Sequence, residues 1–381
     1  MKKTLLLLTA ILLAGCSPMA ASSQVTSDTQ KPTDNSRISV EYTSDTYSNP
    51  LTVISGGGTT YNSDIADPSI VRDPDSGKFY IFATNMIVLS STDACNWTKE
   101  NYNALTSYPS WGKEIYPDTK LDIWAPDVIR IGNQWIYYYS LSAWGKCAGI
   151  GYATSNTLAG PYTDQGKLFS VDDIGIENCI DPQVFIDDDG TIYMTVGSFQ
   201  GNYLVKLTED GMGLEGGVSY QNEHKILIAG KASRWDGSQY EGGYIIKHDG
   251  NYYYFASSGT CNEGFDSTYK VMVGRSNTID GVYRGADGMP MKMSANGTTY
   301  GNLVLWAGTN QDRNTAGPGH NSILRDDAGD YWIYYHSYCR YDSFSTKHLM
   351  MDKLLWDKDG FPYIENHKPS YQEDLDGPKL I

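Results

Sequence analysis

The sequence predicts an all-β protein, a five-bladed β-propeller whose functional positions gather at the mouth of the central channel. Three observations predict it. First, one phrase recurs five times: a short apolar strand, a polar turn, then a second strand rich in Tyr, Trp and Ile. The copies start at Asp67, Ala125, Asp181, Glu241 and His320. Each copy reads as a β-hairpin, and a multi-stranded unit returning at a roughly regular step reads as radial repetition. Second, an apolar run trails each hairpin: Ile87 to Ser90, Gly149 to Ala153, Tyr203 to Lys206, Val271 to Gly274 and Leu349 to Asp352. Two independent series therefore both count five blades. Third, the chain carries 30 Tyr, 9 Trp and 39 Gly in 381 residues, a composition suited to short strands and tight turns. No long stretch keeps a 3.6-residue apolar period, so very little helix is expected. Blades packed mainly on their neighbours also accommodate a chain longer than one compact core usually holds.

The segments take their assignments in order. Residues 1–16 are an address: Lys2 and Lys3 precede an apolar run from Leu5 to Leu13 that is too short for a mature membrane span. Leu13-Ala14-Gly15-Cys16 resembles the bacterial lipoprotein cleavage box, which implies that Cys16 becomes a lipidated N-terminus. Residues 17–48, rich in Ser, Thr, Asp and Gln, read as a flexible tether. Residues 49–381 form the propeller. Asp67-Pro68, Ala125-Pro126 and Asp181-Pro182 begin their strands because proline pushes the preceding residue into extended backbone and is tolerated at a strand's start. Gly160-Pro161-Tyr162 and Gly281-Val282-Tyr283 read as turns into outer strands.

The formal charge of −16 argues against nucleic acid and against an anionic polymer as the main ligand, since both need a basic footprint. A neutral polymer fits. Beyond Cys16 the chain holds Cys95, Cys147, Cys179, Cys261 and Cys339. Their odd number leaves at least one unpaired, no C-x-x-C pattern points to zinc, and they are read as structural with room for one bridge.

Equivalent positions of a propeller converge on its axis, so Asp67, Asp181, Glu241 and His320 are expected together. Three carboxylates at an aromatic-lined mouth point to glycoside hydrolysis, which needs one carboxylic acid to protonate the leaving oxygen and one carboxylate acting on the sugar's other face. A third carboxylate near the acid raises its pKa.

These residues carry a family resemblance. Asp67-Pro68-Ser69, Trp124-Ala125-Pro126-Asp127-Val128, Asn178-Cys179-Ile180-Asp181-Pro182 and Gly197-Ser198-Phe199 resemble glycoside hydrolase family 43, as do Ser267-Thr268-Tyr269-Lys270 and Gly317-Pro318-Gly319-His320-Asn321-Ser322. Among its members the likeness is to arabinanases that cut α-1,5-linked arabinan. The resemblance implies an inverting enzyme with Asp67 as general base, Glu241 as general acid and Asp181 holding the acid protonated and oriented. It implies His320 beside a calcium ion held through a mostly watery shell. It implies sugar contacts from Trp124, Asn178 and Ser198, with Trp144 and Phe199 as weaker candidates. Two departures stand out. Ala66 takes the place where many arabinanases have His before the base. Gly242-Gly243 follows the acid where many relatives place a proline, and glycine is expected to loosen that loop.

The expected partners are arabinan or arabino-oligosaccharide and, through Cys16, the lipid of a bacterial envelope, with the outer membrane favoured. The protein is expected as a monomer. Endo action is expected. The rivals are an exo-acting α-L-arabinofuranosidase or β-xylosidase of the same family, and a non-catalytic glycan-binding lipoprotein.

Overall fold

The computed structural model describes residues 41–61, 64–231, 240–295 and 297–381. The assignments to the signal segment, to Cys16 and to residues 17–40 of the tether lie outside these residues.

Residues 41–381 form one compact unit of five blades. Blade 1 holds Ser69–Arg72, Phe79–Ala83, Ile87–Ser91 and Trp97–Lys99, with Val53–Ser55 added in parallel at its outer edge. Blade 2 holds Asp122–Ile131, Gln134–Ala143, Lys146–Ser155 and Thr163–Ser170. Blade 3 holds Gln183–Ile186, Ile192–Val196, Asn202–Lys206 and Ile226–Ala229. Blade 4 holds Glu241–His248, Asn251–Ser258, Lys270–Ser276 and Asn302–Trp306. Blade 5 holds Thr315–Arg325, Tyr331–Cys339, Lys347–Trp356 and Pro362–Tyr363. Each third strand covers the apolar run expected for it.

Inner strands bury both faces, so their sequences lose the polar alternation of a half-exposed strand. The period of two survives as a choice of neighbour. Tyr137 and Tyr139 pack into the core between blades 1 and 2, while Tyr138 packs into the core between blades 2 and 3. Tyr253 and Phe255 face blade 5, and Tyr252 and Tyr254 face blade 3. Five apolar clusters result, one at each junction between blades.

Hydrogen bonds around the axis repeat the same logic. The third residue of each phrase, or in blade 4 the fourth, reaches the next blade. Ser69 Oγ donates to Asp127 Oδ1 at 2.9 Å, and Asp127 Oδ2 accepts Val184 N–H at 2.8 Å. Gln183 Oε1 accepts Ile245 N–H, Tyr244 Oη donates to Ile323 O, and Ser322 Oγ accepts Ile70 N–H. The ring is thus closed side chain by side chain.

Three sequence expectations are corrected. The tether ends before residue 48: Thr46–Tyr47 pairs with Leu375–Asp376, and Tyr47 is buried against Trp332. Gly281-Val282-Tyr283 does not start an outer strand, although Tyr283 donates to Ile279 O just as Tyr162 donates to Leu158 O. Eighteen further residues intervene before blade 4's outer strand, Asn302–Trp306, because Tyr283 and Met291 first fill the junction core. The room left for one disulfide is unused: all five described cysteines are free.

Candidate active site

A cavity of about 840 Å³ opens at the channel mouth, and Asp67, Trp124, Asn178, Asp181, Ser198, Glu241 and His320 all line it. Every site residue expected within the described part of the chain is therefore brought together. The local reason is backbone. Asp67, Ala125, Asp181, Gly242 and His320 all adopt positive φ, between 41° and 62°, which turns the chain sharply as it enters each innermost strand. Blade 4 is offset by one: its left-handed residue is Gly242, so Glu241 stands one position ahead of the register shared by Asp67, Asp181 and His320. The expectation that Glu241 occupies the same position as the others is corrected accordingly.

The last residue of each phrase clasps the next blade. His336 Nδ1 accepts the Asp67 N–H at 3.2 Å, Thr84 Oγ1 accepts that of Ala125 at 2.9 Å, Ser140 Oγ that of Asp181 at 2.9 Å and Ser257 Oγ that of His320 at 2.7 Å. Blade 3 breaks the pattern. Ser198 Oγ donates instead to Glu241 Oε2 at 2.8 Å, and the Gly242 N–H goes to Asp181 Oδ2 at 3.0 Å. Ser198 is fully buried and spends its hydroxyl on the acid candidate. Gly242 is not a loosening residue either. Its N–H is bonded, its φ is 58°, and an added Cβ would lie 3.0 Å from the His320 ring.

The carboxylates have separate surroundings. Asp67 accepts from Thr84 Oγ1 at 2.5 Å and pairs with His320 Nδ1 at 3.1 Å. Burial alone would raise its pKa, but His320, Lys347 and the Thr84 hydroxyl outweigh burial and hold it down at about 2. Burial opposes a charge on His320 as well, yet Asp67, Asp181 and Glu241 raise its pKa above the ordinary value. Glu241 accepts from Ser198 on one oxygen and from Tyr269 Oη on the other, at 2.8 Å each. Asp181 is pushed up to about 7, chiefly by burial and then by Glu241 and Asp67, against the pull of His320.

Four residues here, Thr84, His336, Tyr269 and Lys347, were not expected at the site from the sequence, although Tyr269 lies in the Ser267–Lys270 motif. Thr84 and His336 both touch the Asp67 side of the site. His336 is fully buried, its pKa is held well below the usual value by burial, and its ring stacks on Tyr269 at 5.8 Å. Tyr269 in turn holds Glu241. Lys347 lines the same cavity. The signal was available: the phrases end at Thr84, Ser140, Ser198, Ser257 and His336, a polar residue closing each apolar strand.

Trp124 and Trp144 form a tilted pair at 5.8 Å on the cavity wall, with Trp144 78% exposed. That leaves an indole face available to a sugar ring. Beneath the mouth lies a cavity of about 20 Å³ shared by His320 and Asn321. Both polar atoms of the buried Asn321 amide lack partners. Among the described residues no three His, Cys, Asp or Glu side chains are arranged to hold a metal ion. Calcium, which prefers six to eight oxygens, would thus be bound through water, with His320 and Asn321 as the fitting protein groups.

The family model "Glycosyl hydrolases family 43" matches residues 59–362. An extracellular exo-α-(1→5)-L-arabinofuranosidase of Cellvibrio japonicus is 32% identical, over 79% of this chain and 86% of its own. An extracellular endo-α-(1→5)-L-arabinanase of Thermotoga petrophila is 30% identical, over 78% of this chain and 71% of its own. In three dimensions, the α-L-arabinanase of Cellvibrio cellulosa complexed with arabinohexaose matches with a TM-score of 0.68 and 29% identity, covering 80% of this chain and 96% of that one.

Proposed function

Because the chain belongs to glycosyl hydrolase family 43, we propose that it hydrolyses α-1,5-linked L-arabinofuranosyl bonds of arabinan, within the polymer and with inversion. The observation that carries this reading is the meeting of Asp67, Asp181 and Glu241 in one cavity with three different sets of partners. Asp67, ionised at neutral pH, is the base that takes a proton from the attacking water. Glu241, held on both oxygens by Ser198 and Tyr269, is the acid aimed at the leaving oxygen. Asp181 touches the acid's own loop through Gly242, and burial together with the charges of Glu241 and Asp67 pushes its pKa up to about 7. That shift favours the protonated form of Asp181, beside the loop that carries the acid.

The cavity is far larger than one pentofuranose, and the Trp124–Trp144 pair extends its wall, which favours an internal site on a chain. The exo reading draws on the similarity to the Cellvibrio exo-arabinofuranosidase. Early products from linear arabinan separate the two: a ladder of oligomers supports internal cleavage, and one short product supports release from an end. Glu241→Gln and Asp67→Asn are each expected to abolish hydrolysis while circular dichroism stays unchanged. Near wild-type turnover in either variant overturns the assignment.

A calcium ion at the axis would supply positive charge beneath the carboxylates. Chelation is then expected to lower the thermal midpoint or the activity, and no change in either removes the ion. Cys16 is proposed as the lipidated residue of an envelope protein. Detergent-phase partitioning that is lost in Cys16→Ser supports the anchor.

A further inference from the structure

Lys347 opens the third strand of blade 5 and is 8% exposed, yet it lines the cavity. Its backbone is tied to the segment that leads into Asp67. The Lys347 N–H donates to Asp64 Oδ1 at 2.7 Å, and Lys347 O accepts the Ile65 N–H at 3.0 Å. Its ammonium donates to Asn262 Oδ1 at 2.7 Å, the one hydrogen bond it makes among the described residues. Asn262 follows Cys261, whose Sγ lies 3.8 Å from Glu241 Oε1. The ammonium therefore hangs between the base and acid sides of the site.

An ammonium has three N–H donors. Asn262 takes one and the Tyr338 ring lies 5.9 Å from the nitrogen, which leaves at least one donor for the cavity that Lys347 lines, in a group largely withdrawn from bulk water where a charge with open donors is costly to keep. Long flexible side chains with nothing to bind reach outward to solvent; this one is turned into the cavity and held there by Asn262. What fills such donors in a cavity that binds a neutral sugar is a hydroxyl.

We propose that Lys347 is a substrate-binding residue: its ammonium donates hydrogen bonds to ring hydroxyls of the sugar unit seated against Asp67, and Asn262 aims it. This rests on the glycosidase reading. It goes further by assigning a cation to recognition of an uncharged ligand, where a cation that merely balanced the carboxylates would add nothing to sugar affinity.

The test is calorimetric binding of a linear arabino-oligosaccharide to the inactive Glu241→Gln protein, with and without Lys347→Met. Met keeps the bulk of the stem and removes the donors. A hydrogen bond from a charged donor predicts about 10- to 100-fold weaker binding. Asn262→Ala, at an exposed position, tests the aim without disturbing a buried side chain and is expected to weaken binding about 3- to 10-fold. Affinity within twofold of the Glu241→Gln parent in Lys347→Met, or in Asn262→Ala should Lys347→Met fail to fold, overturns the inference and leaves the glycosidase reading standing. No binding by the Glu241→Gln parent overturns both.

Discussion

Asp67, Ala125, Asp181 and His320 hold left-handed backbone without being glycine, a conformation that costs a side chain of order 1 kcal/mol or more. The cost is met locally, because each strained N–H is clasped by a side chain of the preceding blade. Three of the four are the residues on which the proposed chemistry depends, and the turn is what points them into the mouth. Gly242 shows the same demand from the other side. Gly242→Ala is expected to cost about 1–2 kcal/mol in denaturant stability, and to lower kcat/KM at least tenfold by pressing on His320 and moving Glu241. Thr84→Val removes the donor to Asp67 and the acceptor of the Ala125 N–H. Loss of about 1–3 kcal/mol is expected, with a fall in kcat larger than any change in KM, since Thr84 steadies the proposed base, Asp67.

At the scale of elements, the repeat governs which strand faces which core, and the deviations from it carry information. Blade 3 diverts its clasping serine to Glu241, and blade 4 shifts its left-handed turn by one residue. These two irregularities are adjacent, and together they bring a glutamate into a ring otherwise built from aspartate, alanine and histidine. The third strand of blade 5 contributes a further testable group. Asp352 is buried, accepts from Tyr335 Oη at 2.5 Å, and is pushed up to about 6 by burial. Its folded value thus lies above its unfolded one. Its penalty is absent below pH 4, grows as the pH rises to 6 and is complete above that. Asp352→Asn is expected to flatten this loss, on the order of 2–3 kcal/mol, when urea midpoints are compared between pH 4.5 and 7.5. Equal pH slopes in both proteins would refute the assignment.

For the whole molecule the decisive contacts close the ring. Asn49 Nδ2 donates to Met351 O at 2.6 Å, and Asn49 Oδ1 accepts the Met351 N–H at 3.0 Å. The Leu51 N–H donates to Leu349 O, and the two ends of the folded unit pair as short strands. Unlike a disulfide, these bonds work only as a set. Asn49→Ala leaves two buried backbone groups of Met351 without partners and is expected to cost about 2–4 kcal/mol, seen as a lowered thermal midpoint with activity intact at 25 °C. An unchanged midpoint would mean that the blade 5 junction core alone holds the ring.

The blade count, the third strands and the convergence of Asp67, Asp181, Glu241 and His320 were legible in the sequence, because repetition fixes both the hairpin and its distance from the axis. The polar phrase endings were printed there as well, but their meaning lies between blades. A hydroxyl at Thr84 serves Ala125, 41 residues away, and no local pattern announces that partner. The one-residue offset at Glu241, the diversion of Ser198 and the inward turn of Lys347 belong to tertiary structure for the same reason. Each is decided by which groups meet across a junction, where burial makes an unfilled donor or acceptor too costly to leave.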